Sequence, residues 1–165
     1  MTFEIQRLAP AELPRMRELN TLFAAAFDDA RSYAADPPDD AWLKRFLARE
    51  HVAVLVALHE GAVVGGLVAY ELEKFERARR EFYIYDLAVA EMQRRRGVAT
   101  ALIERLKQIA RAPQAWVIFV QGDPGDEPAL ALYDKLGTRE EVLHFDIEPW
   151  GLHPHAVHPA RLFDP

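Results

Sequence analysis

The sequence predicts one α/β domain built around a mixed sheet. Two apolar runs, Val52 to Leu58 and Ala62 to Glu71, are separated by a short polar break at Glu60-Gly61, which is typical of a β-hairpin. Strand-like and helix-like segments then alternate along the second half of the chain, and a hairpin followed by such alternation favours a mixed sheet covered by helices. The 165 residues, half of them hydrophobic, suit one domain with a single core.

The first half of the chain contains a strand, two helices and the hairpin. Phe3 to Leu8 alternates weakly and predicts a strand, whereas Ala11 to Phe27 predicts an amphipathic helix because its apolar residues recur at spacings of three and four. Asp28 to Asp40 contains five aspartates and a Pro-Pro pair, which predicts a loop. Asp39 or Asp40 is suited to cap a short helix from Ala41 to about Arg49.

In the second half, a charged connection at residues 74–80 is followed by aromatic and β-branched residues, which predict a strand. The helix after this strand is expected to end at a proline, and the last helix is expected to end at a glycine. The strand between these two helices is expected to be buried because its residues are apolar. The expected elements are strand Glu81–Val89, helix Gly97–Arg111, strand Ala115–Val120, a helix from Pro128 or Ala129 to Leu136, strand Glu141–Ile147 and an irregular tail from Trp150 to Pro165. Residues 1–150 are thus expected to form the domain and residues 151–165 the tail.

Composition excludes several classes of protein. The formal net charge of −6 disfavours a nucleic-acid partner and favours a cationic one. The absence of cysteine excludes disulfides and thiolate metal sites, and no apolar run is long enough for a membrane helix. Without a recognisable secretory signal, we expect a cytoplasmic protein that does not bind membranes. No metal site is expected, since the tail histidines (His153, His155 and His158) lie in a proline-rich segment that gives them no fixed geometry.

The chemistry is concentrated in the turn after strand Glu81–Val89. Three arginines, Arg94 to Arg96, precede Gly97 and the start of a helix. The first turn of a helix has N–H groups without internal partners, and these donors and the helix dipole favour an anion. Gly97 lets the backbone come close to that anion, and the small Ala99 keeps the first turn clear. This pattern predicts a phosphate or pyrophosphate site, although a solvated basic turn is the alternative.

Two motifs resemble those of the GNAT superfamily of N-acetyltransferases. Arg94-x-x-Gly97-x-Ala99 resembles its pyrophosphate loop, and the segment from Ala129 to Gly137 (ALALYDKLG) resembles its Ala-x-x-Leu-Tyr-x-Lys-x-Gly motif. The resemblance implies a mostly antiparallel mixed sheet of six to seven strands. In that fold the fourth strand carries a bulge and splays from the fifth to admit acetyl-coenzyme A.

Three further segments resemble the aminoglycoside 3-N-acetyltransferases of this superfamily, which modify gentamicin and fortimicin. They are Phe82–Val89, Gln121–Ala129 and Arg139–Ile147. The resemblance implies direct acetyl transfer from acetyl-CoA to the 3-amino group of the deoxystreptamine ring, resistance to the antibiotic, and a homodimer. It assigns cofactor binding to Leu87, Ala88, Val89, Arg94, Arg95, Arg96, Gly97, Val98, Ala99 and Thr100.

Two catalytic residues are expected, Tyr133 from the resemblance and Asp86 from its own position in the chain. Tyr133 occupies the position of the general acid that protonates the departing thiolate, and the Val89 N–H is expected to stabilise the developing oxyanion. Asp86 lies in an otherwise apolar and aromatic strand, where a carboxylate is costly without a partner. It is expected to bind the substrate ammonium and to accept its proton, directly or through water, although a structural ion pair or hydroxyl contact is the alternative. Histone-type relatives carry their glutamate base near the position of Tyr83, so that base is missing here.

A set of acidic residues is expected to surround a substrate with several ammonium groups. Exposed ion pairs are individually weak, about 1 kcal/mol or less, so selectivity requires several of them. The expected substrate-binding residues are Tyr85, Asp86, Asp123, Asp126, Glu127, Asp146 and Glu148, with Asp28, Asp29 and Asp36 on the early loop. Two alternatives stay open: an acetyltransferase for another small amine such as a polyamine, and an acetyl-CoA-binding module without catalysis.

Overall fold

The structure is a computed structural model that describes residues 3–147. The chain divides into two compact units, Met1–Gln121 and Gly122–Pro165. The first unit contains β1 (Glu4–Arg7), α1 (Leu13–Ala26), a π-helical turn (Arg31–Ala35), α2 (Asp40–Leu47), β2 (Val52–His59), β3 (Ala62–Lys74), β4 (Arg79–Val89), a 3-10 turn (Glu91–Gln93), α3 (Val98–Arg111) and β5 (Val117–Val120). The second contains α4 (Glu127–Leu136).

The five strands form one sheet in the order β1-β2-β3-β4-β5. The first three pairings are antiparallel and the β4–β5 pairing is parallel, which confirms the predicted mixed, mostly antiparallel sheet. The β2–β3 hairpin is also confirmed, and both Glu60 and Gly61 have positive φ in its turn (52° and 85°). Two consecutive residues with positive φ are the feature of tight hairpin turns that match the twist of their strands.

Helices α1 and α3 cover opposite faces of the sheet. A Cβ added to Gly66 would collide with Leu19 of α1, whereas one added to Gly65 would lie 3.0 Å from Cγ1 of Val98 in α3. Adjacent strand residues point to opposite faces, so the two glycines mark the two layers. On the α1 face, alternate β2 residues pack against both α1 and α2. This core includes Leu13, Met16, Leu19, Phe23, Leu43, Leu47, Val52, Val54, Val56 and Leu58.

A bulge in β4 lies at Tyr85. Ala69 of β3 pairs with Ile84, but the preceding residue Val68 pairs with Asp86, so Tyr85 is the additional residue. Strands β4 and β5 pair only from Glu81 to Ile84, and β4 continues for the residues up to Val89 with no β5 partner in the described part of the chain. The bulge and the splayed strand pair are thus confirmed.

Two expectations about strands were wrong. Residues 141–147 form no regular secondary structure, so the described residues hold five strands rather than six or seven. The side chains of Val142 and Ile147 there are 73% and 90% exposed, and β-prone residues form a strand only where a neighbouring edge accepts their backbone bonds. Strand β5 is not fully buried either, because Val117 and Phe119 face outward on one side of it. The proline-rich tail from Trp150 lies outside the described residues.

Candidate active site

The turn between β4 and α3 adopts a backbone that only a few residues accept readily. Gly97 is the N-cap of α3 with a φ of 84°, and Arg95 has a φ of 62°. The first bond of the helix ladder runs from the Ala101 N–H to the Gly97 carbonyl at 3.0 Å. The N–H groups of Val98, Ala99 and Thr100 therefore precede the ladder.

The space beside Gly97, at the start of α3, is open. No side chain of the described residues caps α3, and a Cβ built on Gly97 meets no atom within 4 Å. Arg94, Arg95 and Arg96 are exposed around the turn. The Nε of Arg94 donates to the Val89 carbonyl at 3.2 Å, which fixes its guanidinium across the base of the turn. Exposed amides, a helix dipole and neighbouring arginines form a site suited to a diphosphate.

Leu87, Ala88 and Val89 form a strand edge between this turn and the point where β5 leaves β4. The Ala90 N–H donates to the Val64 carbonyl of β3 at 2.9 Å. Since the N–H groups of successive strand residues point to opposite sides, the Val89 N–H points away from β3, toward the side where β5 has already ended. An extended ligand can add to such an edge as another strand.

Asp86 lies on the α1 face of β4 beside the bulge. Its Oδ1 accepts a hydrogen bond of 2.5 Å from the hydroxyl of Tyr33, which is on the π-helical turn between α1 and α2. Tyr85 is 56% exposed next to it, and its ring makes edge contacts with Tyr70 and Tyr83 at 6.0 Å and 5.7 Å between centroids. The structure thus brings the two predicted substrate residues of β4 together, on the face of the sheet that carries the α1–α2 loop.

Burial and the carboxylate both act on the tyrosines of this cluster. Burial, followed by the hydrogen bond and charge of Asp86, strongly raises the pKa of Tyr33. Burial and the charge of Asp86 also raise the pKa of Tyr70. Both hydroxyls therefore keep their protons at neutral pH, and Tyr33 remains a donor to the carboxylate.

Tyr33 and Tyr70 were not predicted as site residues. Tyr33 lies in an aspartate-rich segment with no periodicity, and its partner is 53 positions away, so no local pattern connects them. Asp29, expected among the substrate-binding acids, is instead 5% exposed and accepts a hydrogen bond from the Ser32 N–H at 3.0 Å. Its carboxylate thus holds the turn that carries Tyr33, while Asp28 and Asp36 are exposed.

In the second unit, Tyr133 lies on α4. Burial is the main cause that raises the pKa of Tyr133 to about 12, and the charge of Asp126 adds to it. Asp126 is the N-cap of α4, and its carboxylate accepts from the Ala129 N–H at 3.2 Å. This predicted substrate residue therefore already has a structural role in the helix start. Asp123 and Glu127 are exposed nearby in the chain.

The remaining predicted acids lie near the end of the described chain. Asp146 is exposed, and its Oδ1 lies 2.9 Å from Nε2 of His144. Glu148 and the tail histidines lie outside the described residues. Among residues 3–147, no helix has the length and apolar character to cross a membrane, and no three His, Asp or Glu side chains gather as metal ligands would.

Comparison with known proteins identifies the fold and its relatives. Residues 16–138 match the model of the acetyltransferase (GNAT) family. A crystal structure of an aminoglycoside acetyltransferase from an uncultured soil metagenomic sample is 52% identical, with 90% of this chain and 99% of that chain covered and a TM-score of 0.88. A second metagenomic aminoglycoside acetyltransferase, solved with trehalose and with sisomicin, is 34% identical over 88% of this chain and 95% of that one, with a TM-score of 0.82. No curated protein sequence matches the chain.

Proposed function

The chain belongs to the acetyltransferase (GNAT) family, and we propose that it transfers an acetyl group from acetyl-CoA to the 3-amino group of the deoxystreptamine ring of an aminoglycoside. The observation that carries this proposal is the open β4 edge, which runs from the bare amides of α3 to the carboxylate of Asp86. An extended ligand bound along this edge would have its anionic part at the α3 amides and its other end beside Asp86, where a cationic group can bind. The proposed substrate class rests on the 52% identical aminoglycoside acetyltransferase.

The residues at the α3 turn fit coenzyme A. The N–H groups of Val98 to Thr100 and the exposed Arg95 and Arg96 would hold its diphosphate, and the backbone of Leu87 to Val89 would bond the extended arm. When bound, acetyl-CoA supplies the acetyl group as a thioester. The Val89 N–H points to the open side of β4 and is the donor available to the acetyl oxygen.

Tyr133 is proposed to assist the leaving sulfur. Because its pKa is raised to about 12, it keeps its proton at neutral pH and can donate it. An ordinary thiol has a pKa of about 8.5, so complete transfer of the proton to the sulfur would be uphill in this environment. A hydrogen bond from Tyr133 to the sulfur is therefore the form of assistance that the raised pKa favours.

Asp86 is proposed to receive the substrate amine. An ammonium group has no lone pair and must lose its proton before it can attack a carbonyl carbon. A carboxylate attracts the ammonium and can accept the proton, directly or through one water. The exposed Tyr85 offers an apolar ring face beside this charge, on which the face of an aminocyclitol can pack.

The charge of the chain supports a polycationic substrate. The net charge is −6, and exposed carboxylates follow β5 at Asp123 and Glu127. Each exposed ion pair adds about 1 kcal/mol or less, so a ligand with several ammonium groups gains more than a monoamine does. The second metagenomic relative has been solved with sisomicin, a ligand of the proposed class.

The test is thiol release from acetyl-CoA with gentamicin, fortimicin and sisomicin, alongside spermidine and a short peptide. We expect turnover with the antibiotics, and NMR of the product should place the acetyl group on the 3-amino nitrogen. Faster turnover with spermidine would replace the proposed substrate by a polyamine. Binding of acetyl-CoA without turnover on any amine would leave a binding module.

We also propose that the protein acts as a homodimer. Apolar side chains at Val142, Leu143, Phe145 and Ile147 are exposed, and a large exposed apolar set is typical of an interaction surface. Light scattering after size exclusion measures the mass directly, and a species near 18.8 kDa would contradict the dimer.

A further inference from the structure

Tyr33 contacts the one carboxylate on which the proposed chemistry depends. Its hydroxyl donates to Oδ1 of Asp86 at 2.5 Å, across 53 positions of the sequence. A donor to an ionised carboxylate stabilises the charged form relative to the protonated one. We infer that Tyr33 is a positioning residue, which keeps Asp86 ionised and fixes its orientation toward the substrate amine. This inference rests on the proposed function of Asp86.

The position of Tyr33 is well determined by its own surroundings. Its ring makes contacts with Phe23 and Phe27 of the α1 end at 5.7 Å and 5.6 Å between centroids. The buried Asp29 accepts from the Ser32 N–H, and its carbonyl accepts from the Tyr33 N–H at 3.3 Å. Ring contacts and backbone hydrogen bonds of the loop thus fix the position of Tyr33. A solvent-exposed residue without a structural role would not need such contacts.

Among the described residues, the other titratable groups of the cluster come from two strands and two loops. Asp86 and Tyr85 of β4 act electrostatically on both Tyr33 and Tyr70 of β3. From the loops, Asp29 acts on Tyr33 and Arg49 acts on Tyr70. Tyr33 has the direct hydrogen bond to Asp86, whereas Tyr70 has none to it in the described part of the chain. The two tyrosines therefore form a matched pair for a test.

The sign of the expected effect follows from the donor. Loss of the Tyr33 hydroxyl removes a stabilising contact from the ionised carboxylate, so Asp86 takes up a proton at a higher pH. For one hydrogen bond to a charged group, partly replaced by water, the shift is about one pH unit. The activity should therefore fall most on the acid side and recover as the pH rises above the shifted midpoint.

The first experiment compares pH profiles of kcat/KM for the wild type, Tyr33→Phe, Tyr33→Leu and Tyr70→Phe. In Tyr33→Phe the acid limb should move up by about one unit with the fold intact, because the ring is retained. Tyr33→Leu also loses the ring contacts and should lower the Tm, so it reports the packing role separately. Tyr70→Phe should leave the acid limb in place. An unshifted limb in Tyr33→Phe would overturn the inference.

A second experiment tests the effect of Tyr33 on Asp86 without an activity assay. Carbon-13 NMR of aspartate-labelled protein follows the titration of the Asp86 carboxyl group, which is assigned by its loss in Asp86→Asn. Its midpoint should rise in Tyr33→Phe and stay constant in Tyr70→Phe, and a constant midpoint in both would refute the role of Tyr33. An inactive wild type would overturn the proposed function. The NMR midpoint would still show whether Tyr33 stabilises the ionised form of Asp86.

Discussion

Replacing Gly97 by valine should weaken the binding of coenzyme A far more than it destabilises the fold. Gly97 has a φ of 84°, and an added Cβ would meet no protein atom within 4 Å. The folding cost is therefore backbone strain alone, about 1–2 kcal/mol for a side chain in the left-handed region and somewhat more for a β-branched one. For a chain of this size that lowers the Tm by roughly 2–8 °C.

The binding cost has a different origin, because the isopropyl group would stand in the open space before the α3 amides. A hydrogen bond to a charged group contributes about 1.5–3 kcal/mol, so losing one or two of them costs about 3 kcal/mol. That corresponds to a Kd raised roughly 100-fold. Isothermal titration of coenzyme A into the folded variant measures this directly.

Gly61 supplies a matched control for this comparison. Its φ is 85°, a Cβ there also meets nothing within 4 Å, and it lies in the β2–β3 turn rather than at the α3 start. Gly61→Val should therefore carry the same backbone strain and a similar loss of Tm while binding coenzyme A normally. Equal affinity of Gly97→Val and wild type, or an equal loss of affinity in both variants, would refute the assignment of the anion site.

Three further variants test other parts of the structure. Asp86→Asn should lower kcat by roughly 10²–10⁴-fold because an amide neither carries the charge nor accepts the proton, and a full rate in stopped-flow or thiol-release assays would disprove the base. Tyr133→Phe should lower kcat by at least about tenfold with the KM for acetyl-CoA unchanged, whereas a change in KM alone would indicate a binding role. Gly66→Ala should destabilise the fold by about 1–3 kcal/mol in urea denaturation, because its Cβ collides with the fully buried Leu19 and lies 3.1 Å from the Leu55 carbonyl. A stabilised variant would mean that Leu19 can move aside and that the gain in backbone entropy dominates.

Local sequence signals predicted the elements that local interactions determine. The Asp39 side chain caps α2 by accepting from the Trp42 N–H at 2.7 Å, and the Glu60-Gly61 turn closes the hairpin. Gly97 likewise marks the start of α3 because its conformation suits few other residues. In each case the residues that interact are within a few positions of one another, so the pattern is visible in the sequence.

Features that depend on distant contacts were predicted less well. Glu141 to Ile147 has the composition of a strand, but a strand also requires a neighbouring edge, and composition does not specify one. The buried role of Asp29 depends on the fold of the α1–α2 loop, whereas its sequence context suggested only another surface acid. The bulge was predicted from the family resemblance, since no local signal in Tyr83 to Asp86 requires one.

The bulge determines which face of the sheet receives Asp86. Ala69 pairs with Ile84, so regular alternation would place Tyr85 opposite Val68, and the next residue would point to the α3 face. The extra residue instead brings Asp86 opposite Val68, on the face where α1 ends and where Tyr33 donates to it. On the α3 face the same carboxylate would meet an apolar layer that includes Val98 and Leu102, where its charge would be costly. One inserted residue therefore moves Asp86 from an apolar layer to a half-buried position, where it accepts from Tyr33 beside the point where β5 leaves β4.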